Sequence, residues 1–380
     1  MSVWETLDLL ADGIELNRSS APDSGPSAAR KVQGFWSKKE PPTETSGGYL
    51  YSRITRPYII ETAFGRQTAE RYRRSSTWGW DILVDRYLAK RRVQKVLSLC
   101  CGFGLTERIL IPRLPEVTEC LALDIAPGAI SRARQLATDS GIMNVKYEVE
   151  DLNAFEWQES YYDLIIANGA LHHLRNLEGV LAGVRKALKP DGLFHSCECV
   201  GPNYQDHAPR QLELINASAF LVPPELRSRS GIAWHRHPRI FRALTRIHAA
   251  VAREDQPYWA GWKKKVAGFA RTVLRRPDFD FGVVHISPKA HYLRTDPSEC
   301  VRSADVLKVV RQNFPEAEIR PMGGAILEYA LDQKFYEKFD EENEAHRKDF
   351  DLICRLEQHF MATGEIGNDF ALIYAQRGDA

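Results

Sequence analysis

No apolar run in this chain approaches the ~20 residues that a membrane-spanning helix requires. Neither sign of charge is in excess, with 51 Lys and Arg against 50 Asp and Glu in 380 residues, so composition alone does not mark a polyanion or membrane-surface binder. Cysteine is sparse and its number is odd: seven residues, at 100, 101, 120, 197, 199, 300 and 354, several within apolar runs that read as buried strands. That excludes a disulfide framework and points to a reduced compartment. Cys197 and Cys199 lie on the fifth strand, where alternate side chains share a face; neither a zinc nor a redox role is expected of them, and no metal is expected. The first sixteen residues carry Glu5, Asp8, Asp12 and Glu15 among their apolar positions, so they do not read as a signal peptide, and a cytoplasmic location is expected.

A third glycine is also missing where one type of nucleotide site would need it. Residues 96–107, Val-Leu-Ser-Leu-Cys-Cys-Gly-Phe-Gly-Leu-Thr-Glu, run from an apolar strand through a glycine turn into a helix start. A dinucleotide fingerprint requires glycine again at the position of Glu107, for close helix packing and pyrophosphate at the helix N-terminus. An acid there argues against NAD. Three further strand ends follow: Cys120–Asp124, then Val145–Val149 running into Asp151-Leu152, then Tyr162–Ala167 running into Asn168-Gly-Ala-Leu-His-His173. All would line one rim of a parallel sheet, where open α/β sheets bind ligands.

With these motifs the chain resembles the class I S-adenosylmethionine (SAM)-dependent methyltransferases, and within them a bacterial subgroup with helical insertions. The resemblance runs continuously from residue 92 to about 200. Gly102 and Gly104 match the family's glycine turn, while Ser98 stands at its usual acidic position and Cys100 at its first glycine. The resemblance implies a Rossmann-like seven-stranded α/β sheet and SAM as cofactor. It implies that Ser98, Cys100, Gly102 and Gly104 contact the amino acid and ribose parts of SAM, and that Asp124, followed by Ile125, holds the ribose hydroxyls. Asp151 and Leu152 would take the adenine, and Asn168 would offer backbone to the methionine end. A thiol at Cys100 adds bulk where glycine is usual, so the turn is expected to avoid a positive φ there.

Outside that core, Trp4, Leu7, Leu10 and Ile14 read as a short amphipathic helix, and residues 17–48 as a polar linker rich in Ser, Pro and Gly. Helical periodicity from about 55 to 90 completes an N-terminal segment, 1–90, expected to act as a lid over the 91–200 core. Residues 201–300 form an insertion, read as a helical cap. From Leu226 to Arg276 its charge is almost wholly basic, against Glu254 and Asp255 alone. Residues 301–380 return to the core: a helix over 304–314, strands at 317–320 and 370–375, and between the strands an acidic helix with Phe350, Ile353, Leu356 and Phe360 on one face.

Methyl transfer is an in-line displacement, so alignment in a dry pocket supplies most of the catalysis, and a base helps where the acceptor must lose a proton. His172 and His173, just past strand 4, are the candidate bases. Glu198, Tyr204, His285, His291 and Arg302 are candidates for the acceptor side. The expected activity is O- or N-methylation of a small biosynthetic metabolite, and the basic cap suits an anionic one. No RNA-binding module is visible, which argues against a nucleic-acid partner. Other uses of SAM, a tRNA- or carrier-bound acceptor, and non-catalytic SAM binding are the alternatives.

Overall fold

Apolar runs that read as strands buried on both faces are so buried. Val96, Leu97 and Leu99 of the first strand and Leu164, Ile165, Ile166 and Ala167 of the fourth are each 1% exposed or less, as parallel strands covered on both sides must be. The computed structural model describes residues 26–39, 48–227, 284, 286–287 and 289–378. The expected opening helix, most of the basic cap including Lys263, Lys264 and Lys265, and His285 lie outside the described residues.

The strands are β1 (Lys95–Leu99), β2 (Glu119–Asp124), β3 (Val145–Val149), β4 (Tyr162–Asn168), β5 (Leu188–Cys199), β6 (Glu318–Gly323) and β7 (Phe370–Gln376). Among the described residues they form one sheet in the order β3-β2-β1-β4-β5-β7-β6. The first five strands are parallel, and β7 runs antiparallel to both its neighbours. Because β2 and β4 flank β1, the chain reverses its direction across the sheet there, and the carboxyl ends of these strands open a crevice. Leu99 pairs with Leu123 on one side and Ala167 on the other. The turn after β1 therefore sits level with Asp124 and Asn168.

Helices cover both faces: α1 (Pro26–Trp36), α2 (Arg56–Phe64), α3 (Arg66–Tyr72), α4 (Trp78–Ile82), α5 (Leu105–Leu110), α6 (Pro127–Asp139), α7 (Leu177–Ala187), α8 (Pro209–Ala219), α9 (Lys289–Thr295), α10 (Val306–Asn313) and α11 (Glu344–Ala362). Helix α7 starts where the Asn176 side chain accepts from the Gly179 N–H at 3.2 Å. Its stripe of Leu177, Val180, Leu181 and Val184 then buries against one face of the sheet together with α10. On the other face α2, α4, α8 and α11 share a core with β1, β4 and β7.

Two expectations change. Residues 17–48 are not all loose linker, since α1 occupies 26–36, docked where the Gly128 N–H meets the Ser37 hydroxyl at 3.2 Å. On α11 the buried stripe is His346, Phe350, Ile353, Cys354 and Glu357, with Leu356 only half-buried. A polar residue takes the deepest place, because its carboxylate serves backbone donors described below.

Candidate active site

The turn after β1 is held from below. Gly102 N–H donates to Asp124 Oδ2 at 2.9 Å, and Ala126 N–H donates to Asp124 Oδ1 at 2.9 Å. The same carboxylate therefore braces both the glycine turn and the start of α6. Three residues of the turn are left-handed: Cys100 at φ 51°, Gly102 at 53° and Gly104 at 70°. For Cys100 this corrects the expectation of a negative φ; the chain tolerates a costly conformation there to complete the turn. Gly104 has a steric reason to be glycine, since a Cβ would lie 2.6 Å from the Tyr147 hydroxyl. At Gly102 and Gly169 a Cβ would meet nothing within 4 Å, so the turn and the end of β4 present open backbone toward the crevice.

Beneath the turn, Ser98 donates its hydroxyl to Glu107 of α5. Glu107 is 1% exposed, and burial pushes its carboxyl up to about 7 despite the Ser98 hydrogen bond. In sequence Glu107 stands out only as an acid where a dinucleotide site needs glycine; its contact with Ser98 forms when the first turn of α5 folds back under β1.

The remaining cofactor candidates share this rim. Ile125 is half-buried beside Asp124, and Leu152 is buried. Asp151 Oδ1 accepts from the backbone N–H of Asn153 at 3.0 Å and from its side-chain amide at 2.6 Å. Asn168 reaches Thr106 of α5 across 3.5 Å. Open left-handed glycines, a carboxylate with spare lone pairs at the end of β2 and an acid in the first turn of α5 suit a cationic nucleoside such as SAM, whereas that acid disfavours a phosphate.

At the ends of β4 and β5 lies a second constellation. Glu198 is 1% exposed and accepts from the backbone N–H groups of Ala170 at 3.0 Å and Leu171 at 2.6 Å, and it holds His172 Nδ1. Burial alone would lower the His172 pKa, but the charge and hydrogen bond of Glu198 outweigh it and hold the ring up at about 9. Burial and the neighbouring His172 instead push His173 down. His173 Nδ1 meets the Ser298 hydroxyl at 3.0 Å, and that hydroxyl donates to Asp296 at 2.5 Å. Glu299 lies 3.9 Å from Nε2 of each histidine; burial opposes its charge, yet the two imidazoles keep it below the usual carboxylate range.

Asp296 and Glu299, more than a hundred residues from the histidines in sequence, were missed, and no local signal marks them. Donor atoms of His172, Glu299 and Cys300, and of His173, Asp296 and Glu299, converge within 4.8 Å in each set. Hydrogen bonds also engage Asp296 and Cys300.

The other acceptor candidates divide. Tyr204 is buried beside this cluster, its N–H donating to the Cys300 carbonyl at 2.8 Å. Arg302 is committed elsewhere, with bonds to both oxygens of Glu178 at 2.6 and 2.7 Å and to Asp305 at 2.9 Å. His291 falls on α9. Over the cluster, α1 brings Trp36 edge-on to His173, with ring centroids 5.7 Å apart, and its Nε1–H donates to Asp296 at 2.8 Å.

Residues 91–237 match the family described as a methyltransferase domain. The match covers under half of the chain and marks that segment as a methyltransferase domain, similar to those of the class I SAM-dependent family. The chain's sheet order agrees, and SAM is the cofactor that the family uses. Over 99 residues it is 33% identical to the malonyl-(acyl-carrier protein) O-methyltransferase of Acetivibrio thermocellus, covering 26% of this chain and 33% of that protein. Over 137 residues it is 27% identical to the methyltransferase YcgJ of Bacillus subtilis, covering 35% and 53%. Over 116 residues it is 34% identical to the polyketide synthase component of compactin nonaketide synthase from Penicillium citrinum, covering 29% and 4%. The chain thus spans a third to about half of the bacterial relatives and a small part of the fungal one.

Proposed function

We propose that the protein methylates a small biosynthetic acceptor at oxygen or nitrogen, with His172 as general base and Glu198 as the group that orients it. The observation that carries this is the buried His172–Glu198 pair at the ends of β4 and β5, beside the glycine turn. SAM supplies an electrophilic methyl group when bound. For that group Ser98, Cys100, Gly102, Gly104, Asp124, Ile125, Asp151, Leu152 and Asn168 form the binding rim, with Asp124 on the ribose hydroxyls. His172 takes the acceptor's proton at Nε2, while Nδ1–H stays on Glu198, which stabilises the imidazolium that forms. His173, with its ring held by Ser298, lines the acceptor side with Tyr204. Residues 1–90 serve as lid, 91–200 and 301–380 as core, and 201–300 as cap. A carrier-bound acyl acceptor is the second reading, favoured by relatives whose names place them on an acyl-carrier protein or in a polyketide synthase.

Product analysis tests the reaction class: S-adenosylhomocysteine marks methyl transfer, and methylthioadenosine marks use of another SAM group. The base has its own test. His172 must be unprotonated to act, so with the ring held at about 9, kcat/KM should rise with pH through the neutral range and level near that value. Glu198→Gln removes the charge that raises the ring, so the limb should move to lower pH while the plateau falls by on the order of 10²-fold. A flat profile in the native enzyme, or full activity in His172→Asn, would remove His172 from the chemistry.

A further inference from the structure

The buried acid beneath the turn is left half-satisfied. Glu107 Oε1 takes the Ser98 hydroxyl, but Glu107 Oε2 has no hydrogen-bond partner, and neither does the hydroxyl of Tyr147, which lies where a Cβ of Gly104 would point. Leaving a buried carboxylate oxygen without a donor is costly, and a fold does not carry that cost without cause. The charged and titratable groups around it are Arg108 of α5, Asp124 and Cys120 of β2, Tyr147 of β3, and Cys101 of the turn. Among these Arg108 alone is cationic, and its guanidinium bonds the Phe103 carbonyl.

Ser98 is where this family usually carries its strand-end acid. The hydroxyl at that position holds a carboxylate arriving from nine residues further on, in the first turn of α5. We propose that Glu107 is the relocated acid of the SAM turn: held by Ser98, it offers its unpartnered oxygen to the methionine ammonium of SAM, directly or through one water. The proposal rests on the SAM-binding reading. It makes binding of the ammonium-bearing ligand take Glu107 in its ionised form, so a proton leaves as SAM arrives at neutral pH.

Calorimetric titration with three ligands decides the matter. SAM and S-adenosylhomocysteine carry the ammonium, and methylthioadenosine keeps the nucleoside and lacks it. Glu107→Gln should weaken SAM and S-adenosylhomocysteine at least tenfold and leave methylthioadenosine within twofold. The native protein should release a proton on binding SAM near pH 7, read from titrations in buffers of different ionisation enthalpy, and the variant should not. Restoring the acid on the strand, in Ser98→Asp with Glu107→Gln, should bring SAM affinity back to within threefold of native. Equal losses for all three ligands would mean a structural role, and unchanged affinities would mean none; either overturns the proposal. A selective loss without rescue would overturn the relocation. If Glu107→Gln does not fold, Ser98→Ala, which keeps the acid but frees it, should weaken the same two ligands selectively, and an unselective effect sinks the idea. Absence of SAM binding by the native protein would defeat the SAM reading itself, which is a distinguishable result.

Discussion

Cys100 shows how one residue can bear strain for a site. Its φ of 51° belongs to the region glycine occupies freely, and a β-carbon there costs roughly 1–2 kcal/mol. The thiol is a poor candidate for chemistry, because burial, reinforced by Asp124, pushes it well above the ordinary range. Glycine would relieve the strain and give back part of the gain through greater freedom of the unfolded chain, worth roughly 0.4–1 kcal/mol. We therefore expect Cys100→Gly to stabilise the fold by about 0.5 kcal/mol in urea denaturation and to keep SAM turnover. A loss of stability would mean that the packing of the thiol outweighs the backbone strain, and lost turnover with intact SAM binding would give the sulfur a part in the reaction.

At the scale of elements, the return from β6 hangs on one side chain of α11. Glu357 is fully buried and accepts from the backbone N–H groups of Gly324 at 3.0 Å, Ile326 at 2.6 Å and Leu327 at 2.9 Å, and from the Tyr58 hydroxyl of α2 at 2.8 Å. It thereby joins three elements that are distant in sequence. Removing it in Glu357→Ala strands four buried donors, and we expect a loss of about 3–5 kcal/mol in equilibrium unfolding. Glu357→Gln keeps an acceptor oxygen and should lose less than half of that; equal losses in the two variants would show that packing volume matters more than the hydrogen bonds.

The same residue marks the limit of reading elements from periodicity. An apolar stripe was visible at Phe350, Ile353, Leu356 and Phe360, but hydropathy gives no reason to place Glu357 inward over Leu356, because the donors it serves lie on another element. The strands and the residues that end them were legible, since the apolar runs leading to Asp124 and Asn168 and the alternating Val-Lys-Tyr-Glu-Val run before Asp151 carry their own signal. Glu107 under Ser98, and Asp296 and Glu299 beside the histidines, become neighbours only when the chain closes.

Over the whole molecule, these pieces meet under α1, a helix that the local abundance of Ser, Pro and Gly disguised. Its C-terminal end spans the crevice: Ser37 reaches the start of α6 beside Asp124, and Trp36 reaches Asp296 and His173 on the opposite side. On the proposal that this N-terminal segment acts as a lid, a cover tied on both sides would keep water from the space between the glycine turn and His172 and so strengthen the charge interactions there. The tie at Trp36 combines one hydrogen bond, about 1 kcal/mol, with an edge-on ring contact of roughly 0.5–1.5 kcal/mol. Trp36→Ala should therefore release the lid by about 2 kcal/mol, multiplying its undocked population by roughly thirty. Amide exchange within 26–37 should accelerate accordingly, while exchange in β1 and β4 stays at the native rate. Trp36→Phe keeps the ring and loses the donor, so it should fall between the two. If α1 exchanges no faster in Trp36→Ala, the docking at Ser37 and Gly128 is sufficient to hold the lid, and the path to His172 is closed without Trp36.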